Sequence, residues 1–257
     1  MRAPNLTLAT TVLAATLTWG PFAVAAPIVF FGEDLNPSET FPLGSTPNAS
    51  GAESAFLSHL AGVGTEDFDC VCNGIASNGL ELAFPGSGGD ISATISTPTG
   101  DINNTVTMGR FPISGVQYLN ANATTLSMTF SDPIAAFGFY GIDIGDYGGE
   151  LTVTLNHSDG GTTPLAVGNS IGSGGAAPFE GAVLYFGVID VADPFTSVDF
   201  SSSADSDTFA YDDMTIGDSH QVQGTTVPEP SSALLLGVGT FGIVLAGRIR
   251  RKRMMRY

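Results

Sequence analysis

The chain has 257 residues and a mass of 26.4 kDa, with 25 Asp+Glu against 8 Lys+Arg. Arg2 lies near the start and Arg248, Arg250, Arg251, Lys252, Arg253 and Arg256 near the end, which leaves Arg110 alone among 24 acids in residues 27–226. A body of that sign repels phosphate backbones, which are gripped through several Lys or Arg contacts, so a nucleic-acid partner is excluded. With 33 Gly, 15 Pro and only 13% charged residues, the composition favours a turn-rich β protein over a helical one.

In chain order, residues 1–25 read as a cleavable secretory signal. Arg2 gives a positive start, Leu6–Trp19 is mostly apolar, and Ala23-Val24-Ala25 offers a small-x-small cleavage pattern. Residues 27–50 carry Pro27, Pro37, Pro42 and Pro47 and predict an extended lead-in with one short strand at Ile28–Phe31. Ser50 and Glu53 have capping-box spacing, and Ala52, Ala55, Phe56 and Leu60 recur at helical intervals, which predicts one short helix over about 51–61, ended by Gly62. Beyond it the pattern is period two. Alternating runs at 80–84, 91–95, 124–130, 134–140, 151–155, 183–189, 198–200 and 209–216 are separated by Gly, Asn, Asp or Pro clusters. Eight or more such strands without an internal repeat predict an all-β fold, a two-sheet antiparallel β-sandwich over 27–216. Residues 217–226 are polar and read as a linker.

The last thirty residues have three parts in a fixed order: Val227-Pro228-Glu229-Pro230, an apolar run Ala233–Gly247, and a basic cluster with Arg248, Arg250, Arg251, Lys252 and Arg253. A helix over about 231–247 would rise roughly 25 Å, short for a bilayer core but extended by snorkelling arginines. The positive-inside rule puts the arginines in the cytoplasm and the acidic body outside. This order resembles the PEP-CTERM sorting signal of Gram-negative bacteria over residues 227–257. The same tail family also carries the label of an ice-binding protein C-terminal domain, although the body lacks a repeated flat threonine array. The resemblance implies an exosortase substrate: an exported protein held as an inner-membrane intermediate, cut at the Pro-Glu-Pro signal, then displayed at the cell surface or released. Exopolysaccharide is the partner commonly associated with such proteins.

The body resembles the recurrent β-rich ectodomain of many PEP-CTERM proteins. The likeness is carried by Phe31-Gly-Glu-Asp-Leu-Asn-Pro37, Gly109-Arg-Phe-Pro-Ile-Ser-Gly115, Phe137–Asp146 and Phe209-Ala-Tyr-Asp-Asp-Met-Thr-Ile216. That group brings a shared fold and no assigned activity. The Asp-Asp-Met-Thr-Ile ending also resembles the last strand of jelly-roll carbohydrate-binding modules. In those modules an acid near the first core strand and one on the last often share a structural Ca²⁺. By position the corresponding acids are Glu66 or Asp67 and Asp212 or Asp213.

Calcium takes six to eight oxygens, and loop carboxylates close in sequence supply them. Acids cluster at 66–69, at 143–150, at 205–207 and at 212–213. The alternative is a solvated acidic surface. Cys70 and Cys72 are a candidate local disulfide, since export favours oxidation. Residues i and i+2 of a strand lie about 7 Å apart, so closure needs a turn; free thiols, intermolecular pairing and metal binding are the alternatives. Gly168-Asn-Ser170-Ile-Gly172 matches a nucleophile pattern but lacks the following helix and an ordered acid and histidine. His59, His157 and His220 are scattered and read as surface residues. Tyr147, in a glycine-flanked loop, is the ring best placed to stack on a sugar, whereas Tyr140, Tyr185 and Tyr211 sit on strands and read as core. Together these observations describe a non-enzymatic surface or extracellular-matrix protein without a firm cofactor, Ca²⁺ being the candidate. A carbohydrate-binding module with a defined sugar site is the alternative.

Overall fold

The computed structural model describes residues 26–122, 126–145, 148–169, 181–204 and 207–224. The expected signal segment, the sorting motif Val227–Pro230, the span at 231–247 and its basic flank lie outside the described residues, as does Tyr147. Thirteen strands and one α-helix are described. They are β1 (Ile28–Asp34), α1 (Pro47–Leu57), β2 (Thr65–Glu66), β3 (Leu80–Phe84), β4 (Ile91–Ser96), β5 (Gly100–Asn103) and β6 (Tyr118–Asn122). There follow β7 (Ser127–Ile134), β8 (Ala136–Ile142), β9 (Leu151–His157), β10 (Thr162–Val167), β11 (Val183–Ile189), β12 (Phe195–Ser202) and β13 (Thr208–Gly217).

These strands form two antiparallel sheets packed as a sandwich. One runs β1-β11-β8-β13-β6-β5, with β2 added on β13; the other runs β10-β9-β12-β7-β4-β3. The second sheet shows the expected alternation, with β4 buried at Ile91, Ala93 and Ile95 and open at Ser92 and Ser96. In the first sheet, β8 and β11 are buried at every position. Their inner faces meet the other sheet through Phe137, Phe139, Phe186 and Phe200, with Phe139 and Phe200 in edge-to-face contact at 5.2 Å. Their outer faces lie under α1, where Phe56, Tyr140 and Tyr185 build a second apolar layer.

The helix starts four residues before the expected position. Pro47 takes an initial position, where its missing N–H costs nothing, and Thr46 is the N-cap without a side-chain hydrogen bond. The cap comes from another element. The Asp34 carboxylate at the end of β1 accepts the N–H groups of Asn48 at 3.0 Å and Ala49 at 2.9 Å. It thus satisfies orphan donors and places negative charge at the positive end of the dipole. Ser50 is consequently inside the helix, and the capping-box spacing with Glu53 is coincidental. Helix and strand touch backbone to backbone at Gly32, where an added Cβ would lie 2.1 Å from the Asn48 carbonyl oxygen.

Other differences have local reasons. Strands β5 and β6 hold asparagines and little alternation, and they form because Ile102, Leu119 and Ala121 fill the core beside β13. Strand β10 contains Pro164, tolerated because β10 is an edge. The expected linker at 217–226 is body as far as the description runs. Gly217 ends β13, Val222 bridges Leu60, and the Gln223 N–H donates to the His59 carbonyl at 2.6 Å. Gln221 is buried, and its side-chain amide donates to the carbonyls of Gly62 at 2.6 Å and Pro85 at 3.0 Å.

Candidate functional site

The two acidic clusters singled out from the sequence meet because β2 pairs with β13, with Glu66 opposite Met214 and Thr65 opposite Thr215. The Thr65 and Thr215 hydroxyls bond at 2.6 Å across that pair. At this point β13 carries a bulge. Its register against β8 shifts between Asp212 and Thr215, and Asp213 adopts φ 47°, a left-handed conformation that Asp tolerates better than most residues. The bulge sends Asp212 and Asp213 to separate tasks.

Asp212 is fully buried. Its Oδ2 accepts the N–H groups of Ile113 at 2.7 Å and Ser114 at 3.2 Å, and its Oδ1 accepts that of Asp213 at 2.8 Å. Burial pushes this carboxyl up to about 8, and the neighbouring Asp213 adds to the rise, against the pull of the three N–H donors. Asp213 is also raised, first by burial, with Asp67 and Asp69 adding repulsion, while the Ser114 hydroxyl at 2.6 Å works the other way. Burial raises Glu66 as well, although its Oε1 accepts the Phe68 N–H at 2.8 Å.

The loop 113–117 joins these parts. It wraps the Asp69 carboxylate, which accepts the N–H groups of Val116 at 2.8 Å and Gln117 at 3.0 Å. The approach is close enough that only glycine fits at 115: its φ is 54°, and a Cβ would lie 2.0 Å from Asp69 Oδ2. Gln117, unmarked in the sequence reading, then donates its side-chain amide to the carbonyls of Phe68, Asp69 and Val71. Asp67 and Asp69 thus act on Asp213 as like charges. Asp212 and Glu66 are occupied by backbone donors. Among the described residues no three His, Cys, Asp or Glu side chains converge to hold a metal ion. The four acids named for calcium are therefore neighbours without being a preassembled ligand set.

A second acidic feature is an open recess of about 420 Å³ beside the end of β13, with Asp90, Asp132, Asp218 and His220 on its rim. Asp218 organises it by accepting the N–H groups of Ser87 at 2.7 Å and His220 at 2.8 Å. Elsewhere, Cys70 and Cys72 are free and exposed. His157, expected at the surface, is buried between the Asp193 carbonyl at Nδ1 and the Thr163 hydroxyl at Nε2, both at 2.8 Å. Tyr140 and Tyr185 are core residues, as read from their strands. Tyr140 donates to Glu53 at 2.8 Å, and the buried Tyr185 and Tyr211 hydroxyls have no hydrogen-bond partner among the described residues. Ser170 lies outside the described residues. Arg110, the lone base of the body, is half-buried and donates to the Thr208 carbonyl at 3.2 Å.

Residues 226–252 match the profile of the PEP-CTERM protein-sorting motif. The chain therefore carries that motif at its C-terminus, which implies processing by exosortase and an exported, surface-sorted protein. No curated protein matches the chain. Among solved structures it is similar to the K2 cleaved adhesin domain of Lys-gingipain, at 12% identity over 60% of this chain and 97% of that one, with a TM-score of 0.38. It is also similar to the C-terminal family 22 carbohydrate-binding module of Clostridium thermocellum Xyn10B, at 10% identity over 63% and 97%, with a TM-score of 0.34. The CBM22-1 xylan-binding domain of Paenibacillus barcinonensis Xyn10C gives 11% identity over 63% and 96%, with a TM-score of 0.32.

Proposed function

We propose that this is a non-catalytic surface or matrix protein. Its acidic sandwich, exported and released from an inner-membrane intermediate by cleavage of the tail, associates with anionic exopolysaccharide through bridging Ca²⁺. The observation that carries this reading is the charge arrangement beside the sorting motif. The body holds 24 acids, of which Asp143, Asp190, Asp207 and Asp212 are buried, and its single base is turned onto a backbone carbonyl. Such a surface meets an acidic polymer only with a cation between them. Bridging does not need a preassembled cage, because the polymer supplies part of the oxygen shell and Ca²⁺ accepts irregular coordination. The open recess with Asp90, Asp132 and Asp218, and the Asp67–Asp69–Asp213 group, are two places among the described residues where carboxylates are gathered.

The test is co-sedimentation of the full chain with an acidic polyuronate gel in millimolar Ca²⁺, in Mg²⁺ and in chelator, at low and high salt. Ca²⁺-selective retention that chelator and salt reverse supports the reading. Saturable retention by one neutral glycan without Ca²⁺ would replace it with a carbohydrate-binding module. No retention on any polymer removes the polysaccharide role and leaves the sorting signal.

A further inference from the structure

We propose that Cys70 and Cys72 form a thiol–disulfide exchange site: the pair oxidises within the chain to a strained, exposed disulfide that opens when an external thiolate attacks it. Both thiols are exposed, and Val71 between them packs against the core. Both sulfurs are thus reachable from solvent. The sorting motif implies export, and an exported thiol pair meets disulfide donors.

The backbone around the pair is held on both sides. Ahead of it, the Gln117 amide donates to the carbonyls of Phe68 at 3.1 Å and Asp69 at 3.1 Å, and between the two cysteines to that of Val71 at 2.9 Å. After it, the Gly74 N–H donates to the Ile102 carbonyl at 2.6 Å, and Ala76 bridges Asp101. Cys72 and Asn73 lie between these anchorings, in a turn closed by the Ile75 N–H on the Cys72 carbonyl at 3.2 Å, with Gly74 at φ 76°. The near thiol is at high effective concentration, so it outcompetes a second molecule. Ring closure through one residue bends a segment pinned at both ends, so the resulting bond is strained. Strained and exposed disulfides are the labile ones.

The chemistry balances. The Cys70 thiolate attacks a donor disulfide and expels one donor thiolate; the Cys72 thiolate then attacks the Cys70 sulfur and expels the second. Two electrons pass to the donor, and the two cysteine protons go to the expelled thiolates or to solvent. In exchange, an external thiolate attacks one ring sulfur, the Cys70–Cys72 bond breaks, and a mixed disulfide forms beside one freed cysteine thiolate with no net oxidation.

The experiment uses the purified full chain in detergent with oxidised and then reduced glutathione, read by intact mass and by maleimide labelling. After oxidised glutathione we expect a chain with neither thiol reactive and no glutathione attached. An approximately tenfold excess of reduced glutathione should restore both thiols within minutes. Cys70→Ser and Cys72→Ser should each retain one glutathione. Acid-quenched producing cells should show both thiols blocked until mild reductant is added. Wild-type chain carrying two glutathiones, a disulfide-linked dimer on non-reducing gels, or a ring that survives the reductant would each overturn the proposal. Blocked thiols in vitro but free thiols in cells would overturn its exported half while leaving the exchange chemistry standing.

Discussion

The carboxylate of Asp34 accepts the backbone N–H of Ala49 at 2.9 Å, so the last residue of an edge strand caps the helix that covers its sheet. Because Thr46 contributes no side-chain bond, the backbone N–H groups of Asn48 and Ala49 rest on Asp34. Asp34→Ala should destabilise the full chain by about 1–2 kcal/mol in urea denaturation, and Asp34→Asn should recover part of the loss. An unchanged midpoint for Asp34→Ala would show that the helix start is held by other contacts.

A second expectation concerns pH. Burial raises Glu53, Glu66, Asp190, Asp212 and Asp213 in the folded chain above their ordinary values of 3.8 to 4.5. Between those values and about 8, where Asp212 ionises, the folded state binds more protons than the unfolded one. The stability these groups contribute is present at low pH and declines as pH rises through that window. Asp218 runs the opposite way: burial raises it, but the Ser87, His220 and Gln221 donors outweigh that and hold it below its ordinary value. The net expectation is a loss of roughly 2–5 kcal/mol between pH 5 and pH 8. Asp212→Asn should flatten that slope while costing about 1–3 kcal/mol at pH 5, because one of its backbone donors then faces an amide N–H. Calorimetry across pH 4 to 9 measures both, and a stability maximum at pH 8 would contradict the first.

Phe56 tests the second apolar layer. It is fully buried, 5.7 Å from Phe30 and 5.9 Å from Tyr185 between ring centroids. Phe56→Ala should cost about 3–5 kcal/mol by equilibrium denaturation. A cost below 1 kcal/mol would mean that the helix contributes little to the stability of the sheet beneath it.

The tail carries its own expectation. Replacing Pro228-Glu229-Pro230 with alanines in a producing cell should leave the chain at full length in the inner membrane, read by immunoblot of fractionated cells. Tail removal at an unchanged rate would separate processing from the tripeptide.

Strand alternation made β3, β4 and β9 readable within a few residues, because each has one buried face; β8 and β11, buried at every position, were readable as short apolar runs bounded by turn residues. Helix α1 was readable as an element but not in its limits, since its cap lies 15 residues upstream on another strand. Strands β5 and β6 were missed because Asn103, Asn120 and Asn122 mask a pattern completed only by packing. At the acidic end, a family likeness pairs Glu66 or Asp67 with Asp212 or Asp213 as calcium ligands; the structure brings the two segments together through β2 and β13 without a converging ligand set among the described residues. The fates of the carboxylates were not legible in the sequence: the loop at 113–117 brings backbone donors to Asp212 and the Ser114 hydroxyl to Asp213, whereas Glu66 is held by the Phe68 N–H and Asp67 by that of Asp69. Gln117 had no sequence signal at all: its role consists of three carbonyls that converge only after folding.

The clamp between Gln223 and His59 decides how a pull on the C-terminal side enters the body. Tension arriving through Gly224 loads the Gln223–His59 bond, the Leu60–Val222 bridge and the buried Gln221 amide before it reaches any sheet. Behind them stands β13, flanked by β8 on one side and by β6 and β2 on the other, so further extension must shear a central strand. A tethered chain built in this way yields first at a short peripheral latch, lengthening by a few residues while both layers of the sandwich remain intact.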